Sequence, residues 1–142
     1  MNNRLPYLVK TAAIMLTSLC VSTAAFGAVF DRQIDSVCQK MKQNGAWTEW
    51  SDWEDIDIAV NIDLENMVFR LSGSKSHDNT FKSIDAKPER IDSDDIIYFV
   101  FRCTDSDNEK CNFIIGTDKD GDMRIIIEYD HTITMYNMMK EE

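Results

Sequence analysis

Between Ile56 and Leu64 an apolar residue stands at every second position: Ile56, Ile58, Val60, Ile62 and Leu64, separated by Asp57, Ala59, Asn61 and Asp63. Successive side chains of a strand point to opposite faces, whereas a helix needs apolar residues three and four apart. The spacing therefore predicts a strand with one buried face. The same period recurs through most of the chain from Ser36 on, and turn-forming residues interrupt it at short intervals. Both features argue for an all-β fold.

The turns dictate how the segments pair. Asn44-Gly45 is a strong hairpin signal, because both central turn positions need φ > 0. It predicts that residues 37–43 fold against residues 46–53. A two-residue turn at Glu65-Asn66 sets Met67 opposite Leu64, Phe69 opposite Ile62 and Leu71 opposite Val60. Apolar then meets apolar at each rung, which a slipped register would not give. Residues 72–79 read as a polar loop and 80–85 as a short strand, which Pro88 ends or confines to an edge.

Residues 96–104 are apolar on both faces, which predicts a central strand. Pairing with residues 110–116 around an acidic loop sets Cys103 opposite Cys111, Phe101 opposite Phe113 and Phe99 opposite Ile115. Asp120-Gly121 turns the chain into residues 123–129, and Asp130-His131 turns it into residues 132–138. Residues 29–34 are compatible with a short helix or with the lead-in to the first strand. The expectation is an antiparallel up-and-down meander of about eight or nine short strands, closed as a small barrel, with a β-sandwich as the alternative. Closure is favoured because it removes edges that a small domain would otherwise have to guard.

The first residues read differently. Arg4 and Lys10 precede an apolar stretch over residues 11–26, and the first acid is Asp31. Basic, apolar and small-residue parts in that order are those of a secretory signal peptide, with Ala25 and Gly27 suiting cleavage after Gly27. The apolar stretch is shorter than the roughly 20 residues that span a bilayer. Cys20 follows Leu19, where a lipid-attachment site would need a small residue. The sequence thus divides into a cleaved signal, residues 1–27, and one domain, residues 28–142, with no membrane span after cleavage. The expected location is the periplasm or the extracellular space.

Loss of Arg4 and Lys10 with the signal leaves 13 of the 15 basic residues against 25 acids, a net charge of −12. Such a surface repels phosphate backbones and anionic membranes, which argues against nucleic acid or lipid headgroups as partners. A cationic protein partner suits it better.

Cys38, Cys103 and Cys111 survive cleavage. In an oxidising compartment the facing pair Cys103 and Cys111 is expected to form a cross-strand disulfide, which leaves Cys38 as a buried thiol first and a link to another chain as the alternative. Zinc would want further ligands nearby, and His77 and His131 are far off in sequence.

Trp47, Trp50 and Trp53 form a W-x-x-W-x-x-W run. These seven residues resemble the tryptophan ladder of thrombospondin type 1 repeats, whose further cysteines and stacked arginines the chain lacks. On a regular strand Trp47 and Trp53 share one face and Trp50 takes the other, so one face would be core and the other a binding surface.

Asp118, Asp120 and Asp122 look at first like a calcium loop. Counting back from Gly121 puts the first position of an EF-hand at Gly116 and the twelfth at Ile127, so the frame fails. A tight Asp-Gly hairpin accounts for the same residues. No nucleophile elbow, H-E-x-x-H or glycine-rich phosphate loop occurs, so no catalytic residue, metal or cofactor is assigned. The expected function is that of a non-enzymatic exported binding domain; the alternative is a lipocalin-like carrier of a small apolar ligand, and a hydrolase ranks third.

Overall fold

A computed structural model of the chain describes residues 29–139. The signal peptide read over residues 1–27, its cleavage site and Cys20 lie outside the described residues. Ten strands run in order: β1 (Val29–Gln43), β2 (Ala46–Trp47), β3 (Glu54–Asp63), β4 (Val68–Ser72), β5 (Asn79–Ser83), β6 (Glu89–Ser93), β7 (Ile96–Thr104), β8 (Lys110–Asp118), β9 (Met123–Glu128) and β10 (Thr132–Met138). β1, β3, β4, β5, β7, β8, β9 and β10 pair in that sequence, and β10 pairs back onto β1. The result is a closed, antiparallel, eight-stranded barrel. β2 extends the hairpin from β1, and β6 lies beside β7.

Closure depends on β1. Its first part pairs with β3, from Val29 opposite Asp63 to Val37 opposite Glu54. Its later part pairs with β10, from Ile34 opposite Met138 to Met41 opposite Thr132. The register shifts between Ile34 and Ser36 in both ladders. A bulge at this point bends the strand and lets it serve two neighbours. Residues 29–34 are therefore strand, and the first strand begins earlier than residue 37.

The expected registers hold at the rungs that matter. Val60 faces Leu71 and Ile62 faces Phe69; Cys103 faces Cys111, Phe101 faces Phe113 and Phe99 faces Ile115. The Asn44-Gly45 turn has φ of 51° and 81°, the two positive values that a type I′ turn requires. Two corrections apply. β2 is only two residues long, and β6 is a strand that the polar residues 89–93 gave no sign of, turned into β7 through Asp94 at φ 47°.

Side chains alternating inward fill the barrel. Phe69, Phe81, Phe99, Phe101 and Phe113 are buried with Ile34, Ile58, Ile62, Ile115 and Ile125. The Phe69 and Phe113 rings stack 4.4 Å apart, and Phe101 tilts against Phe69 at 4.7 Å. No helix among the described residues is long and apolar enough to cross a membrane.

Candidate functional site

In an up-and-down barrel alternate connections emerge at the same end. Here the β1–β3, β4–β5, β7–β8 and β9–β10 connections share one rim. Cross-links between them confirm it: Lys42 N–H donates to the His131 carbonyl at 2.9 Å, and Thr80 N–H donates to Ser106 Oγ at 3.0 Å. All three tryptophans, His77, Asp105, Tyr129 and His131 lie on this rim.

Residues 48–53 are held against the wall of the barrel. Thr48 N–H donates to the Met41 carbonyl and Ser51 N–H to the Gln39 carbonyl, each at 2.8 Å. In return Met41 N–H donates to Thr48 Oγ1 at 3.0 Å and Gln39 N–H to Ser51 Oγ at 2.9 Å. Three steps of this segment thus span two steps of β1, and hydroxyls stand in for carbonyls. The surplus residue breaks the alternation. Trp47, Trp50 and Trp53 are consequently all exposed, at 38, 38 and 47 %. None packs in the core, which corrects the expectation that one face of the run is buried. Lys40 Nζ lies 4.7 Å from the Trp50 ring centre and 5.7 Å from that of Trp47; Lys42 Nζ lies 5.6 Å from Trp47. These are cation–π distances.

Two hollows open on the mouth of the barrel beside this segment. One, of about 350 Å³, includes Gln39, Lys40, Glu49, Glu54 and His77 in its wall. The other, of about 380 Å³, is bounded by Leu71, Phe81, Ile127 and Tyr136 below and His77 above. His77 lines both. Its Nδ1 lies 2.9 Å from the Tyr136 hydroxyl, and the two rings meet edge to face at 5.6 Å. Burial pushes the Tyr136 phenol up.

Across the rim, Asp105 organises the β7–β8 loop. Its Oδ1 accepts from Asp107 N–H and Glu109 N–H, each at 2.9 Å, and its Oδ2 accepts from the Tyr129 hydroxyl at 2.7 Å. Burial alone would raise this carboxyl, but the hydrogen bonds from Tyr129, Glu109 and Asp107 together hold it below its ordinary range. Asp118 repeats the device at the opposite end, accepting from Asp120 N–H and Asp122 N–H at 2.9 Å. The spacing that suggested a calcium loop serves these turns. Among the described residues no cluster of three or more metal-ligating side chains occurs.

Cys103 and Cys111 face each other as expected, yet both are free, buried thiols, as is Cys38. The expected bridge is not formed, and the ladder supplies a reason. Ile84 N–H donates to the Arg102 carbonyl on the β5 side, and Asp105 N–H donates to the Glu109 carbonyl on the β8 side. Peptide groups alternate sides along a strand, so Cys103 and Cys111 form a hydrogen-bonded pair. The Cβ atoms of such pairs stand about 5.5 Å apart, beyond the roughly 3.5–4.5 Å a disulfide spans. Burial, then the facing Cys111, pushes the Cys103 thiol up to about 12; burial, then Asp105, pushes Cys111 up to about 11.

The sequence brought out the tryptophans and the cysteine pair but not His77, Tyr129 or Tyr136. Their roles arise from loops that meet only when the barrel closes, and no local spacing announces them. No family model, curated protein or solved structure matches the chain.

Proposed function

We propose that the protein is a non-enzymatic exported binding domain, released from its signal peptide near residue 27, which meets a protein partner through the tryptophan-bearing rim. The observation that carries this reading is the exposure of three tryptophans on a segment pinned to the barrel wall. Large aromatic surfaces held rigid lose little conformational entropy on binding, and they are enriched where proteins anchor to one another. A net charge of −12 after signal removal suits a cationic partner.

A small-ligand carrier is the second reading. The barrel interior, filled by five phenylalanines, speaks against an apolar ligand deep inside. The hollow of about 380 Å³ at the mouth is what favours it, being within the size range of small-molecule sites.

The two readings separate in one experiment. The purified protein and its Trp47→Ala/Trp50→Ala/Trp53→Ala variant are immobilised and exposed to an extract of the host. The binding-domain reading expects a defined protein retained by the first and lost by the second. Equal retention on both, or recovery of a small molecule alone by native mass spectrometry, overturns it.

A further inference from the structure

Resting on that reading, we propose that Trp47 and Trp50 form an aromatic cage for a lysine or arginine side chain of a basic protein segment, and that Lys40 fills this cage in the free protein. The Lys40 ammonium sits 4.7 Å and 5.7 Å from the two ring centres. Among the described residues it makes no ion pair with a carboxylate. The aromatic faces are thus what its ammonium packs on, and a ring face attracts any compact cation by the same quadrupole.

Lys42 Nζ also stands 5.6 Å from the Trp47 ring, and it is the nearby carboxylates that favour an incoming cation. Glu49 and Glu54 share the hollow of about 350 Å³ that contains Lys40. Glu128 and Asp130 line a third hollow, of about 490 Å³, on which Trp47 borders. The acidic domain raises the local concentration of basic segments, and the carboxylates supply the ion pairs that Lys40 lacks. Lys40 itself stands on β1, whose neighbour Met41 is paired to Thr132. Its flexible stem can swing the ammonium into water without disturbing the ladder. The lysine then acts as an internal competitor: a partner's cation must displace it, so only a segment with several basic residues gains enough to bind.

The probe is a fluorescein-labelled tetralysine peptide, followed by anisotropy at low salt against the purified protein and three variants. Lys40→Met keeps the stem and removes the competing ammonium, so binding tightens about fivefold. Lys82→Met removes one exposed charge from β5 and reports the general electrostatic gain, which is less than twofold. Trp50→Leu added to Lys40→Met returns the affinity to the wild-type level or below. Equal tightening by Lys40→Met and Lys82→Met, or no loss on Trp50→Leu in a variant with an unchanged circular dichroism spectrum, overturns the cage. If the host partner still depends on the tryptophans in that event, the cage fails while the binding-domain reading stands. Loss of both dependences removes both.

Discussion

The Tyr129 hydroxyl donates to Asp105 Oδ2 at 2.7 Å, so the last residue before the β9–β10 turn fastens the β7–β8 loop. The other oxygen of the same carboxylate accepts two backbone N–H groups of that loop. One buried side chain therefore ties two rim connections into a unit. The arrangement is strongest while Asp105 is ionised.

The Asp105 carboxyl is held below its unfolded value of about 3.9. Its contribution to stability is therefore complete above that pH and is lost as pH falls through the lower folded value. Asp105→Asn should destabilise the fold by about 1–3 kcal/mol at neutral pH. The difference between variant and wild type should shrink on acidification below about pH 4. Urea unfolding at pH 7 and pH 3 measures both; a difference that stays constant would refute the role given to the charge.

The three described thiols should resist alkylation in the native protein and react fully in denaturant. Burial and raised thiol values, about 12 for Cys103 and about 11 for Cys111, leave almost no thiolate at neutral pH. Mass spectrometry after iodoacetamide treatment without reductant counts them. A Cys103–Cys111 bridge would leave both unlabelled even when unfolded, and would show that the ladder yields at that rung.

Much of the barrel is legible in the sequence because most inward-facing positions of its strands are apolar, so a wrong register would bury Asp57 or Asn61. What stayed hidden broke the alternation. Asp35 sits in the bulge and resets the parity of β1, and the inward-facing Arg32, opposite Val60, disguises the strand before it. β6 is exposed throughout and carries no buried period. The tryptophan run misled for a similar reason: regular pairing would bury one face, but the surplus residue between Thr48 and Ser51 turns all three rings outward. The cysteine register was legible, whereas which rungs carry hydrogen bonds is set by the ladder and not by spacing.

Phe113 stacks on Phe69 and lies 5.4 Å from Phe81 in the filled interior. Phe113→Ala should cost about 3–5 kcal/mol and open a dry cavity. The variant should bind benzene or a similar small aromatic, while the wild type does not. Isothermal titration calorimetry on both decides it; binding by the wild type would mean that the interior already holds room for a ligand.

Cleavage of the proposed signal peptide predicts a mature N-terminus within a few residues of Ala28. Intact mass and N-terminal sequencing of material from outside the cytoplasm test this. An unprocessed Met1, or accumulation of the protein in the cytoplasm, would remove the address on which the binding reading relies.

The most direct test is hydrogen exchange of the protein alone and in complex with the partner it retains. Binding at the rim predicts new protection over residues 39–54, with the inner strands β7, β8 and β9 unchanged. Protection confined to those strands, or to the opposite end around Asp118–Asp122, with the tryptophan segment unaffected, would contradict the account.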